Sequence, residues 1–177
     1  MIADILYPLE AVLETSSTPE AVCEVMAEIF QVQSTEVALL RLELDKLHFL
    51  YPQHLRNTGA IPISSSAVAA HTALSKTAEV FNNFALVKHA RIFEVIRPLG
   101  TEASEQPAPL PIQKLMSAPI IEKTQSTVLG VIQISRKGTE PRFIRDFTRE
   151  EMHNLELAAD LVATAPFLQP QNSEPGL

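Results

Sequence analysis

The spacing of apolar residues near the N-terminus predicts two amphipathic helices. In residues 2–15 apolar side chains recur every three or four positions, although Pro8 disfavours helix just before it and predicts a kink or a late start. The second helix is predicted to begin at a capping box of Ser17 and Glu20, with Pro19 in its first turn. Its apolar face comprises Val22, Val25, Met26, Ile29 and Phe30.

After Ser34 the period of the apolar residues changes from about 3.6 to two, which predicts β-strands. Gly130, inside the last predicted strand, predicts a bulge or a close contact with a neighbouring backbone. In chain order the predicted elements are strands over 35–43, 47–51 and around Ile61, a helix capped by the serines 64–66 over 67–74, a strand over 79–81, a helix over about 86–94, and strands over 115–122 and 127–135.

The last predicted helix, residues 148–165, has apolar side chains on two faces. Thr148 and Glu151 form a capping box at its start. A helix that covers a sheet needs one apolar stripe, so a second stripe predicts contact with another helix. We expect a homodimer built from the N-terminal and C-terminal helices; the alternative is that the first helix folds over the last within one chain. The two stripes are Met152, Leu155, Ala159 and Val162, and Leu157, Leu161 and Ala165.

The distribution of proline divides the chain into one domain and a tail. Residues 98–111 contain several prolines and few large apolar side chains, which predicts a long loop. Neither side of this loop has enough strands for a separate sheet, so residues 1–165 are predicted to form a single domain. Residues 166–177 contain three prolines and are predicted to be a disordered tail.

Composition narrows the possible functions. The net charge of −7 would repel a phosphate backbone, so a dedicated nucleic-acid binder is not expected. No apolar run approaches the roughly 18 residues that a membrane span needs, and the N-terminus lacks the basic start of a signal peptide. Cys23 is the only cysteine, which suits a reducing compartment. These features predict a cytoplasmic protein.

Three segments carry a resemblance to a known family. They are Val80-Phe81-Asn82-Asn83 after the serine-led helix, Met116 to Ile121, and Leu129 to Gly138 followed by Asp146 to Glu151. Together with the order of the predicted elements, they resemble the GAF family of signalling domains over residues 18–165. The resemblance implies an α+β fold. Its antiparallel sheet of five or six strands has the terminal helices on one face, and pocket-forming helices and loops on the other.

The chain departs from the ligand-binding patterns of two GAF subfamilies. Members that bind cyclic nucleotides carry Asn-Lys, then Phe, then Asp-Glu. The corresponding residues here are Arg136, Lys137, Phe147, Glu151 and Met152, so tight binding of cyclic AMP or cyclic GMP is not expected. Members that bind bilins need a pocket cysteine, whereas Cys23 falls on a helix expected to pack behind the sheet.

The resemblance also raises an enzyme hypothesis, because some GAF proteins reduce free methionine sulfoxide. That reaction needs a nucleophilic thiol and further thiols that regenerate it. Cys23 alone cannot complete such a cycle within one chain, and its place among core positions predicts an inert thiol. No catalytic residue is therefore predicted.

The candidate pocket follows from position in a GAF-like fold, where the cavity lies between the sheet and residues 64–94. The alternative for the asparagine pair is that it only caps the following helix, and for His71 that it is a core or rim histidine. No metal-ligand spacing was found, and no cofactor is identified. The predicted ligand-binding residues are Asn82 and Asn83 as polar contacts, His71 from its helix, and Phe84, His89, Ile92, Phe93 and Met116 as lining.

The function predicted from the sequence is a non-catalytic regulatory module that binds a small molecule or a partner protein as a homodimer. The alternative is a dimerisation scaffold whose pocket is filled by its own side chains. A cavity of roughly 300 Å³ or more with convergent polar groups would favour the first over the second.

Overall fold

The computed structural model describes residues 4–16, 18–84 and 110–169. The predicted helix over 86–94, nearly all of the predicted loop over 98–111, and the chain beyond residue 169 lie outside this part. Within the described ranges, helices and antiparallel strands combine in an α+β fold, which confirms the predicted class.

The elements agree closely with the pattern of apolar residues. The first helix starts late, as Pro8 predicts, after a short 3-10 turn over Asp4–Leu6. The helices are α1 (Tyr7–Thr15), α2 (Pro19–Phe30), α3 (Val68–Ser75) and α4 (Arg149–Val162), and the strands are β1 (Val37–Glu43), β2 (Lys46–Tyr51), β3 (Ile61–Pro62), β4 (Glu79–Phe81), β5 (Ile112–Glu122) and β6 (Thr127–Lys137).

The six strands form one sheet in the order β3-β2-β1-β6-β5-β4, and every neighbouring pair is antiparallel. Gly130 of β6 lies beside β1, and a Cβ at this position would be 2.1 Å from the carbonyl oxygen of Leu40. The register between β5 and β6 also shifts between Ile120 and Ile121, opposite Gly130 and Val128. Both parts of the Gly130 prediction, the bulge and the close contact, are thus confirmed.

The larger core lies between the sheet and the layer of α1, α2 and α4. Alternate strand residues, such as Leu39 and Ile132, point to this face of the sheet. They pack against fully buried helix residues such as Leu9, Met26 and Leu155. The prediction that the first, second and last helices share one face is confirmed. None of the helices in the described ranges is both long enough and apolar enough to cross a membrane.

The N-caps of α4 and α2 differ in how closely they follow the sequence prediction. Thr148 and Glu151 form the predicted capping box, with Thr148 Oγ1 accepting from the Glu151 N–H at 3.1 Å. At α2 the N-cap is Thr18, whose Oγ1 accepts from the N–H of Ala21, while the predicted cap Ser17 lies outside the described residues. The shift of one residue puts Pro19 at the first helical position, where its missing N–H costs nothing.

The start of α3 also differs from the prediction. Ala67 is its N-cap and supplies no side-chain hydrogen bond. The serines 64–66 therefore do not cap the helix; Ser65 Oγ instead accepts from the N–H of Ala67 at 3.4 Å, within the preceding turn.

Residues 166–169, which composition assigns to the tail, are ordered against the domain. Pro166–Leu168 forms a 3-10 turn, and Leu168 is buried in the core beneath the helix layer. The apolar side chain of Leu168 holds this segment against the domain, so the boundary predicted at residue 166 is too early.

Candidate functional site

The opposite face of the sheet is covered by α3, which packs against β5 and β6. A mostly apolar cavity lies under this helix, and none of its described lining residues is charged. Strands, the start of α3 and the segments beyond β3 and β4 contribute to its wall. The lining residues are Leu40, Phe49, Ile61, Ala67, Val68, Ala69, Phe84, Ile112, Leu115 and Gln133.

The cavity is small. Its volume is about 20 Å³, enough for a single water molecule, whereas pockets for small-molecule ligands usually measure roughly 300–1,000 Å³. In this structure the space is therefore filled almost entirely by the protein's own side chains.

One polar side chain, Gln133, lines the cavity and belongs to a buried chain of hydrogen bonds. Its Nε2 donates to Ser117 Oγ at 3.1 Å, and Ser117 Oγ lies 2.7 Å from Thr72 Oγ1. Thr72 Oγ1 donates to the carbonyl oxygen of Val68 at 2.9 Å. Ser117 and Gln133 are direct cross-strand partners, and all three polar side chains are buried. The pocket thus contains one neutral polar group held in place by the sheet and α3.

Sequence reasoning did not identify this group. The only signal was a polar residue at the centre of a strongly apolar strand, as Gln133 is in Val131-Ile132-Gln133-Ile134. Burying a carboxamide in such a place is unfavourable unless hydrogen bonds satisfy it. The partners that satisfy Gln133 are distant in sequence, so the signal could have flagged the residue but not its role.

Two predicted lining residues differ in outcome. Phe84 is buried and lines the cavity, and its contact with a ligand stays a prediction. Met116 does not, because its side chain lies on the other face of the sheet, fully buried beneath α2 and α4. It pairs with Val80 of β4, and one position along β5 the side chain of Leu115 faces the cavity instead.

His71 does not reach the cavity either. Its side chain is 61% exposed, and Nε2 lies 2.8 Å from Oε1 of Glu79. The prediction that it projects toward the pocket is wrong; it lies on the outer side of α3. His89, Ile92 and Phe93 are outside the described residues, so their assignment to the pocket stays a prediction.

Asn82, the first residue of the asparagine pair, has a partner that the sequence did not predict. Both ends of the Asn82 carboxamide bind the backbone of Phe147: Nδ2 donates to its carbonyl oxygen at 3.1 Å, and Oδ1 accepts from its N–H at 2.8 Å. Asn82 thereby joins the end of β4 to the segment before α4. Asn83 is exposed. Contact of either residue with a ligand stays a prediction.

The positions that correspond to the cyclic-nucleotide pattern meet at the N-terminus of α4. The Arg136 guanidinium stacks 3.9 Å from the ring centroid of Phe147, and its Nη2 donates to Glu151 Oε2 at 2.7 Å. The Nη1 of Arg136 donates to the carbonyl oxygens of Arg145 and Asp146. Arg136 is therefore fully engaged in holding α4 to β6.

Glu151 is the counter-ion of this arginine and also completes the capping box. Partial burial acts to raise its pKa. The hydrogen bonds from the Thr148 N–H and from Arg136, together with the positive charges of Arg136 and Arg145, outweigh that effect and lower the pKa of Glu151. Beside it on β5, Lys114 donates to Asp146 Oδ1 and to the carbonyl oxygen of Asn82, each at 2.6 Å.

The single cysteine lies far from the cavity. Cys23 is fully buried on α2, on the helix side of the sheet, and burial raises the pKa of its thiol, with smaller contributions from Glu20 and Glu24. A buried, protonated thiol is a poor nucleophile.

A second concave feature is an open groove of about 500 Å³ at the edge of the helix layer. It is lined by Ser34 and Thr35 before β1, and by Tyr51 at the end of β2 with the residues 52–54 that follow it. In the parts of the chain that are described, no three His, Cys, Asp or Glu side chains are grouped so that they could hold a metal ion.

Comparison with known proteins identifies the family. A model of the GAF domain matches residues 17–165. No curated protein matches the chain in sequence.

Solved structures with the same fold include GAF domains of larger proteins and free methionine-R-sulfoxide reductases. The GAF domain of a phosphoenolpyruvate-protein phosphotransferase from Coxiella burnetii is 14% identical, with a TM-score of 0.65 over 91% of this chain and 89% of that one. The corresponding domain from Acinetobacter is 12% identical, with a TM-score of 0.64 over 90% and 89%. Free methionine-R-sulfoxide reductase from Neisseria meningitidis, in complex with its substrate, is 11% identical, with a TM-score of 0.64 over 93% and 87%. At these identities the likeness concerns the fold alone.

Proposed function

The chain belongs to the GAF domain family, and from this premise we propose that it is a non-catalytic regulatory module that binds a small molecule in the α3-side cavity and acts as a homodimer. The observation that carries the proposal is Gln133, a buried carboxamide that lines an otherwise apolar space. An apolar pocket with one well-placed polar group is typical of small-molecule sites.

The small volume of the cavity favours a second candidate, a dimerisation scaffold without a ligand. At about 20 Å³ the space is far below the roughly 300 Å³ expected of a ligand pocket. Under the first proposal, a ligand must displace a side chain that now fills the pocket. Phe84 and Phe49 are the aromatic side chains in its wall and therefore the largest candidates. Under the second, these side chains are permanent core.

A redox enzyme is the weaker candidate, even though methionine-R-sulfoxide reductases share the fold. Reduction of a sulfoxide by thiols requires a thiolate that reaches the substrate and a partner that forms a disulfide with it. Cys23 is the only thiol, and the sheet separates it from the cavity.

The proposed homodimer uses α1 and α4. Ile5 and Tyr7, at the start of α1, are exposed, whereas Leu157 and Leu161 of α4 are half-buried and already pack on the helix-side core. The chain also packs α1 against α4 within one molecule, as the alternative expected. Of these two helices, it is therefore the start of α1 that leaves apolar side chains exposed to a partner.

Charge makes this interface testable. Residues 1–40 contain seven acidic residues and no Lys or Arg. The remaining acidic and basic residues balance, so the net charge of −7 equals the charge of this N-terminal segment. A two-fold contact through α1 brings these charges together, and salt screens such repulsion. Under the proposal, raising the ionic strength strengthens the dimer.

Native mass spectrometry of freshly purified protein tests the proposal, since it reports retained ligand and oligomeric state together. A dimer that carries a bound small molecule supports the first candidate, and a dimer of bare chains supports the scaffold. A monomer without ligand contradicts both. Repeating the measurement on Cys23→Ser, which leaves the cavity unchanged, should give the same spectrum.

A further inference from the structure

The segment that joins β6 to α4 presents an apolar ring and two positive charges to solvent. Pro141–Phe143 forms a 3-10 turn, and Phe143 at its end is 74% exposed. The Arg142 guanidinium lies 4.8 Å from the centroid of the Phe143 ring, and the side chains of Arg142 and Arg145 are 75% and 60% exposed. We call Arg142, Phe143 and Arg145 the arginine–phenylalanine turn. Because its ring and charges stay in water, these side chains contribute little to the stability of the fold.

The backbone beneath these side chains is firmly held. Arg136 Nη1 donates to the carbonyl oxygens of residues 145 and 146 at 3.0 and 2.9 Å. Ile144 packs directly on Gly138, where an added Cβ would be 2.6 Å from Ile144 Cδ1. The carbonyl oxygen of Gly138 in turn accepts from Gln113 Nε2 at 2.8 Å. A turn that is ordered before it meets a partner loses little conformational entropy on binding.

The charge around the turn is opposite in sign to that of the whole chain. Residues 136–151 contain five Lys and Arg against four Asp and Glu, whereas the net charge of the chain is −7. Among the described residues, Arg142 has one carboxylate partner, Glu140, at 3.0 Å. The contacts of Arg145 with Glu151 are long, at 3.4 and 3.5 Å. Since a guanidinium has five N–H donors, both arginines keep donors for a further carboxylate.

We propose that the arginine–phenylalanine turn docks an acidic segment of another protein. In that segment, carboxylates on both sides of an apolar side chain pair with Arg142 and Arg145, while the apolar side chain packs on Phe143. Charge complementarity selects this partner, and arginine with aromatic residues is the composition enriched at protein interfaces. A nucleic acid is disfavoured, because the net charge of −7 repels a long phosphate backbone. The proposal goes beyond the proposed function, since it uses neither the cavity nor α1.

The test measures binding of labelled peptides to the full chain by fluorescence anisotropy. The probe is acetylated Glu-Glu-Leu-Leu-Glu-Glu; a second peptide has Gln in place of Glu, and a third has Ser in place of Leu. Measurement at about 0.1 M salt screens charges more than about 10 Å apart, so the acidic N-terminal segment does not dominate. We expect the second and third peptides each to bind about fivefold more weakly than the probe, from lost ion pairs and lost apolar contact respectively.

Variants assign the binding to the turn. Arg142→Gln combined with Arg145→Gln should weaken the probe about fivefold, to the level of the Gln peptide. Phe143→Ser should remove the preference for Leu over Ser. Circular dichroism should show all variants folded, because the substituted side chains are exposed. The matched control is Lys123→Gln combined with Leu44→Ser, which removes an exposed cation and an exposed apolar side chain at the opposite end of the sheet and should change neither preference.

Four results would each overturn the proposal. They are a probe that binds no more tightly than the Gln peptide, turn variants that bind like the wild type, a control variant that loses as much affinity as they do, and a single-stranded oligothymidylate that binds more tightly than the probe. The proposed function has separate outcomes. A monomeric chain without retained ligand that binds the probe would support the docking surface and contradict the homodimeric module. A ligand-bearing dimer that does not bind the probe would do the reverse.

Discussion

Breaking the ion pair between Arg136 and Glu151 should strongly destabilise the junction of β6 and α4. The side chains are only 10% and 17% exposed, respectively, so removing one partner leaves a largely desolvated charge behind. Such a loss costs about 3–5 kcal/mol when burial is complete. Arg136 keeps its bonds to two carbonyl oxygens, which reduces the cost.

Three variants separate the contributions. Glu151→Ala removes both the counter-ion and the capping box, and we expect a loss of about 3 kcal/mol in the free energy of unfolding. Glu151→Gln keeps an acceptor for the Thr148 N–H but not the charge, and should lose about 2 kcal/mol. Thr148→Ala removes only the side-chain oxygen that accepts from the Glu151 N–H, and should lose about 1 kcal/mol. Urea unfolding followed by circular dichroism measures all three.

The pH dependence has a defined sign. The folded pKa of Glu151 is lowered below its unfolded value of about 4.3, so its contribution is complete above that pH and is lost as pH falls through the folded pKa. The difference in stability between wild type and Glu151→Gln should therefore be constant near neutrality and shrink below about pH 4. Equal stability of the two proteins at neutral pH, or a difference that acid does not reduce, would refute this account.

Four further outcomes are expected. Gly130→Ala should destabilise the protein by more than about 3 kcal/mol in urea unfolding, because its Cβ meets a rigid backbone oxygen at 2.1 Å, whereas Gly138→Ala, which meets a flexible side-chain end, should cost less than about 1 kcal/mol. Cys23→Ser should cost about 1–2 kcal/mol and leave any ligand binding intact; loss of a measurable activity in the folded variant would revive the redox enzyme. Titration calorimetry should show no micromolar binding of cyclic AMP or cyclic GMP, since the arginine in the corresponding position is engaged within the protein. Glutamate at both Ile5 and Tyr7, the exposed apolar side chains at the start of α1, should split a dimer in light scattering while circular dichroism shows an intact sheet, and a wild type that is monomeric at micromolar concentration would rule the dimer out.

The sequence determined the elements of this protein, because their signals are local. The change of apolar period marks where helices give way to strands, and the Thr148–Glu151 box lies within one helical turn. Pro8 and Gly130 each impose a backbone constraint that holds wherever the residue is placed. The order of these elements then carried the resemblance to the family.

Only the tertiary structure decided what the polar residues do. Alternation along β5 separates Met116 from Leu115 but does not say which of them faces the cavity, and position alone gave the wrong answer for Met116. Asn82 finds its partner 65 residues away, and Gln133 is oriented through a hydroxyl on the next strand and another on α3. A buried polar group is satisfied by whatever donor or acceptor the fold brings within about 3 Å, and the fold brings these groups from distant parts of the chain.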